Sequence, residues 1–300
     1  MSLDLNNLAD NSSKVQIFTT SGMWHKPRGI SMVYIHLVGG GSGGAGGLSG
    51  AAGTARNGGG GGASGNISRL VIPAALLSES LIVRIGAGGN GGTAGGGAGQ
   101  AGGETSVELV RGNGSSNTSK ALIASGGGTM TGGVDRAGAA GQSANSVFNT
   151  TPAALGVTLF IGNQGGSNGG LNTGAVGTDV TFQVTPSPGS GQYTVLNSGG
   201  AGGGSTNTSN TNFSGGSVIG NTIVPTINGG TSGGGDGEAG FYSYQPLITT
   251  GGAGGGSNGT GTGGRGGNAG PGSGGGGGGA GVTGGTGGRG GDGYAVIVCW

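Results

Sequence analysis

The feature that most constrains this chain is a glycine that returns at every third residue. From Gly263 the sequence divides into triplets whose first place is Gly in 10 of 11 cases, interrupted only by Ala269. Between Gly41 and Gly65 the same step finds Gly at 8 of 9 places, interrupted by Arg56. A period of three fits neither an α-helix nor a strand. It fits an extended left-handed helix with three residues per turn and about 3.1 Å rise, which makes no hydrogen bonds within itself. Ordering glycine costs more backbone entropy than ordering any other residue, and 89 of the 300 residues are Gly. Such segments stay limp, as a flexible linker does, unless neighbouring helices bond to one another through bare backbone. The spacing predicts the second outcome: polyglycine II helices packed laterally along a glycine edge.

Composition removes several classes of function. Eight prolines are too few for collagen. Eleven basic and ten acidic residues leave no basic stripe to neutralise phosphates, which argues against nucleic acid as a partner. Cys299 is the single cysteine, so neither an internal disulfide nor a cysteine metal cluster can form. The start of the chain lacks the basic and apolar regions of a secretory signal. The longest near-apolar stretch, Leu70 to Leu77, is well short of the ~20 residues that span a bilayer. Assembly in a reducing cytosol without membrane insertion is the expectation.

Short apolar segments punctuate the glycine. Strands are expected at Lys14–Thr20, Ile30–Val38, Ile67–Pro73, Ser80–Ile85, Thr105–Val110, Ala121–Ala124, Val157–Ile161, Asp179–Val184, Tyr193–Leu196, Ser217–Val224 and Tyr294–Trp300. Within the second, Val33, Ile35 and Leu37 share one face and Met32, Tyr34 and His36 the other. In the last, Tyr294, Val296, Val298 and Trp300 share an apolar face that is expected to close the fold. Helical periodicity is missing apart from one turn near Ala74–Ser80. The fold class is therefore all-β: a small β-sandwich platform carrying long Gly-rich loops, with almost no α-helix. Residues 1–13 read as an N-terminal arm in which Leu3, Leu5 and Leu8 are anchoring candidates. Residues 14–300 form one glycine-rich β domain, with an insertion at about 129–250 where the triplets break.

No residue pattern points to catalysis. Gly86, Gly88, Gly89 and Gly91 satisfy GxGxxG after a strand, with Glu108 further on, but a dinucleotide site needs a helix after the third glycine. The glycine-dominated run from Thr93 to Gly103 cannot form one. None of Lys14, Lys26 and Lys120 lies in a P-loop. His25 and His36 lack partners at ligand spacing, and Cys299 reads as a buried apolar residue in a strand. No enzyme activity, cofactor or metal is expected. Contact candidates remain. Arg265 and Arg289 both sit in GGRGG, eight triplets apart, and Phe241, Tyr242 and Tyr244 form the densest aromatic cluster.

Several landmarks together resemble a known family. They are the run FTTSGMWHKPRG from Phe18 to Gly29, Val33–Val38 leading into Gly39–Gly41, and Leu81–Ile85 leading into GAGGNGG. Gly103–Ser106, Leu122–Gly128 and the ending Gly290–Val298 complete the set. This chain is similar to the glycine-rich domain of bacteriophage tail-fibre and adhesin proteins. The resemblance implies a virion structural protein at a host-contacting tip, with polyglycine II helices and no catalytic residues. The length of 129–250 and the shortness of residues 1–13 depart from a complete tail fibre. The expectation is a non-enzymatic protein of the virion surface, assembled in the host cytoplasm, that presents stiff loops to a host receptor or glycan. Its partners would be other virion proteins of fibre, tail or capsid, and a homotrimer is compatible with it. Two alternatives stand beside it: a capsid or fibre decoration protein docked by its arm, and an ice-binding polyglycine II protein.

Overall fold

A computed structural model describes residues 14–109, 120–129, 157–161, 166–182, 197–244 and 247–300. Leu3, Leu5, Leu8 and the expected strand at Tyr193–Leu196 lie outside these residues.

One end of the molecule is a sandwich. Its first sheet has five strands in the order β1 (Lys14–Phe18), β15 (Tyr294–Cys299), β3 (Met32–Val38), β4 (Ile67–Pro73) and β8 (Val157–Ile161). The second has the order β2 (Gly22–His25), β5 (Ser80–Arg84), β6 (Thr105–Leu109) and β7 (Lys120–Ser125). Between them lies a dry core of Val33, Ile35, Leu37, Leu70, Ile72, Leu81, Val83, Val107 and Trp24. The alternation in β3 falls as its sequence predicts, with Val33, Ile35 and Leu37 inward. In β15 it does not close the core in the expected sense. Tyr294, Val296 and Val298 do share a face, but it is the outer one, and Ala295, Ile297 and Cys299 fill the core. Every residue of YAVIVC can be buried, so sequence alone could not choose the face. Register with β3, which pairs Ala295 with Leu37 and Ile297 with Ile35, makes the choice.

Smaller pairings occur elsewhere: β9 (Val180–Thr181) with β10 (Val218–Ile219), β11 (Tyr242–Tyr244) with β12 (Leu247–Thr249), and β13 (Asn258–Thr262) with β14 (Gly281–Thr283). Among the described residues the one helical turn is the 3₁₀ turn Ala74–Leu76.

The rest of the described chain is a lattice of extended helices. Residues 40–48 leave β3, turn, and return as 57–65 to β4. Residues 86–95 leave β5 and return as 97–103 to β6. From residue 197 on, the chain shuttles repeatedly before re-entering the platform at β15. The helices lie in rows. The first holds 86–95, 284–293, 262–270 and 234–241, and the second holds 97–103, 40–48, 273–281, 250–258 and 226–232. Below them are 126–129, 57–65, 198–206 and 212–220, and then 166–170 and 175–180. Bonds between neighbours repeat at every third residue. Gly41, Gly44 and Gly47 donate to the carbonyls of Gly291, Gly288 and Gly285, while Gly275, Gly278 and Gly281 donate to those of Ser42, Ala45 and Leu48. Each turn of an enclosed helix therefore sends its three N–H groups to three different neighbours. Segments 166–170, 175–180, 198–206, 212–220, 226–232 and 234–241, set apart by composition, are members of this lattice.

Depth in the lattice explains the wording of each triplet. Segment 273–281 is enclosed on six sides by 40–48, 57–65, 198–206, 250–258, 262–270 and 284–293, and its residues 274–279 are all Gly. A β-carbon on Gly276 would lie 2.0 Å from the Ala253 carbonyl oxygen, and one on Gly277 2.0 Å from that of Gly59. Along 40–48, also enclosed, the third place admits only Ser42 and Ala45 until the half-buried Leu48 at the end of the helix. On the outer helix 284–293 it carries exposed Thr286, Arg289 and Asp292, between buried or half-buried glycines. The single glycine edge expected from the period is thus two edges at the surface and three inside. Among the described residues positive φ falls in turns, as at Gly53 (79°) and Gly272 (69°). Lattice glycines are there for the missing side chain.

Candidate functional site

Because the strands and the helices run end to end, the lattice has a free end opposite the platform. Its surface consists of turns: 49–55, 93–97, 171–174, 207–212, 231–234, 258–262 and 282–283. Their exposed residues are Thr, Ser, Asn, Ala and Gly, with Leu171 and Val282 the larger apolar ones. Among the described residues this end exposes no charged side chain.

Beneath the turns lies Arg56, 2% exposed. Its Nε donates to Thr206 Oγ1 (3.0 Å), Nη1 to the Gly50 carbonyl (2.9 Å) and Nη2 to the Gly259 carbonyl (2.7 Å). Burial pushes its pKa down, although the guanidinium remains charged. One side chain thus ties the turn 49–55 to helix 198–206 and to the turn 258–262. Other side chains extend the tie. Gly53 N–H donates to Asn210 Oδ1 (2.7 Å), Gly259 N–H to Asn212 Oδ1 (2.6 Å), and Asn258 Nδ2 to the Gly233 carbonyl (3.1 Å). Asn207 Oδ1 accepts from the amides of Ser209 and Thr211, the Asx geometry that fixes a short turn. The surface is pre-organised: its loops are cross-linked to each other before any ligand arrives.

The candidates taken from sequence lie elsewhere. Arg265 and Arg289 are exposed on adjacent first-row helices, along the flank of the lattice. Arg289 pairs with Asp292. Asp236 Oδ1 accepts from the Arg265 amide, Asn268 Oδ1 from the Arg289 amide and Asp292 Oδ1 from the Gly88 amide. Third-place Asp and Asn side chains therefore cap amides that point out of the lattice, where they would otherwise invite another chain. Phe241, Tyr242 and Tyr244 sit at the platform end, on and beside the β11–β12 hairpin. Phe241 packs against two small clusters, one of Val218, Ile227 and Ala253 and the other of Phe182, Val224 and Ile248. Tyr242 is exposed at its surface. The two sets are not brought together.

The glycines of the GxGxxG match form one extended helix, and a β-carbon on Gly88 would lie 2.0 Å from the Gly290 carbonyl oxygen. No α-helix follows to offer its N-terminus. His36 is buried in β3, its Nδ1 accepting from Arg69 Nε at 3.0 Å, and burial followed by the charge of Arg69 lowers its pKa to about 3. Cys299 is buried and unpaired as a thiol, and burial raises its pKa. Among the described residues no three His, Cys, Asp or Glu side chains converge as metal ligands.

What sequence reasoning missed is the end surface and Arg56. The signal was present: Arg56 is the one residue that breaks the Gly register between Gly41 and Gly65. An arginine where packing demands bare backbone marks a turn. No protein-family model matches the chain, and no curated protein sequence matches it.

Proposed function

We propose that this chain is a non-enzymatic structural protein of a bacteriophage virion, acting as a tail-fibre tip adhesin whose Gly-rich lattice presents its free end to a host surface receptor or glycan. The observation that carries the reading is the pre-organised, uncharged end surface, held at the far side of a rigid lattice from the platform. Binding by such loops loses little conformational entropy, which favours affinity without a large apolar patch. Exposed Thr, Ser and Asn offer donors and acceptors suited to a hydroxyl-rich ligand. The family landmarks support the phage assignment. The flank, with its alternating Arg and Asp, lacks the regular Thr or Ala row that an ice-binding face needs.

The test is binding of the labelled protein to a panel of bacterial cells and purified envelope polysaccharides. Ala52→Arg and Thr208→Arg should each abolish binding while leaving the melting temperature unchanged. Arg265→Ala, Arg289→Ala and Tyr242→Ala should leave binding intact. Loss through the second set and indifference to the first would move the contact to the flank or the hairpin. Binding to no cell or polysaccharide would favour a decoration role.

A further inference from the structure

The outer face formed by β1, β15, β3 and β4 is largely apolar, and the described residues cover only part of it. Cross-strand register arranges this face in rows. Nearest the lattice, Tyr294, Val38 and Ile67 lie side by side, all fully buried, with Leu247 of β12 packed against them. The next row runs Ile17, Val296, His36, Arg69, and the one after it Val15, Val298, Tyr34, Val71. Here the cover ends: Val15 is 60% exposed, and Trp300, at the end of the same sheet, 46%. The other sheet differs. Its outer face is mixed, with Arg84 ion-paired to Glu108 at 2.8 Å and His25 bonded to Ser80 beside Met23 and Ile82.

Arg69 is the one charged side chain in these rows. Its Nε is held by His36, and among the described residues no carboxylate pairs with it. A guanidinium without a carboxylate partner among the described residues, set by register beside His36 and two residues from Val71 along β4, has the make-up of an interface hot spot, where Arg, Tyr and Trp dominate. The partly exposed rows, with His36 buried among them, span roughly 15 by 20 Å, about 300 Å². That is small for a docked domain and suits one or two strands. A second copy of this chain would bring Arg69 to a face without acidic groups, which disfavours self-association. Beside it, the free edge of β1 pairs with nothing among the described residues and carries neither Pro nor a bulge to blunt it.

We infer that this face is a docking surface for an extended segment of another protein, with apolar side chains at alternate positions and a carboxylate set against Arg69. It lies on the platform, so occupancy leaves the lattice end free. The inference does not depend on what that end binds.

The experiment titrates the full chain with two nine-residue peptides and follows Trp300 fluorescence and heat. One peptide has Val, Leu, Asp, Leu and Val at alternate positions with Ser between, and the other has Lys in place of Asp. The acidic peptide should bind at least ten-fold more tightly. Arg69→Glu should reverse that preference, and Val15→Glu, which touches no hydrogen bond, should weaken the acidic peptide at least ten-fold. Equal binding of both peptides, or none, overturns the proposal. So does a dimer seen by light scattering that Val15→Glu dissolves, because the occupant would then be a second copy.

Discussion

The platform and the lattice are both ordered by backbone hydrogen bonds, yet opposite things fill the space between their chains. In the platform, sheets stand apart and large apolar side chains occupy the gap, as Ile35, Leu37 and Leu70 do. In the lattice the chains touch, and any side chain between them is an obstruction. Deleting atoms should damage the first region, and adding them the second. The comparison teaches that glycine can act as a core residue. It contributes by letting six neighbours approach at once, each bonded through main chain, while hydrophobic burial is confined to one end.

The largest effect should follow from Gly276→Val. Its β-carbon would meet the Ala253 carbonyl at 2.0 Å, with backbone on every side, so no flexible atom can give way. Overpacking of ordinary cores costs about 1–3 kcal/mol, and a rigid lattice should lie beyond that range. The expected outcome is loss of soluble, cooperatively melting protein. Leu37→Ala should cost about 2–5 kcal/mol, as cavity formation does elsewhere. If calorimetry found the glycine variant milder than the leucine variant, the proposed contrast would be broken.

Acid should reveal a weakness that belongs to the platform alone. His36 is neutral when folded, with its pKa lowered to about 3, and it faces Arg69, Tyr34 and Tyr294 across the outer sheet surface. The unfolded chain binds a proton near pH 6.5 and the folded chain does not. Stability is therefore full above pH 6.5 and falls as pH drops from 6.5 towards 3. A shift of this size corresponds to roughly 4–5 kcal/mol at the low end. Chemical denaturation at pH 7 and pH 4 should show the loss, and His36→Gln should flatten it.

Arg56→Met should loosen the far end of the lattice and spare the platform. It leaves the carbonyls of Gly50 and Gly259 and the hydroxyl of Thr206 without their donor, each costing about 1–3 kcal/mol if water cannot replace it. Amide exchange should quicken in 49–55 and 258–262 and remain slow in β3 and β4. Fast exchange throughout 40–48 and 273–281 in the unaltered protein would instead mean that the lattice is not rigid. The smallest effect belongs to the surface. Thr286→Val, on an exposed third place, should change stability by less than about 0.5 kcal/mol. Gly284→Val, two residues away, points at the Gly47 carbonyl from 2.0 Å and should be severe.

Much of this was legible in the chain because backbone packing writes itself into sequence without ambiguity. A glycine every third residue allows few ordered arrangements, and strands such as Ile67–Pro73 and Val157–Ile161 fall where their apolar runs end. β2 was missed because GMWH is short and begins with glycine, and it is a strand only because β5 pairs with it. The candidate site was read less well. Aromatic and charged residues drew attention to Phe241 and Arg289, which serve packing and the flank, while the end surface is made of residues that look like ordinary loop.

The period of three and the short apolar runs already pointed to an all-β chain with laterally bonded polyglycine helices, since an ordered glycine repeat of this step has no other regular way to pair its backbone. Only the tertiary structure decided which helices are enclosed, which face of β15 turns inward, and which turns share one end of the molecule. Those outcomes depend on which chains lie side by side across long stretches of sequence, and hydrogen bonds between bare main chains carry no side-chain label to say which partner they will take.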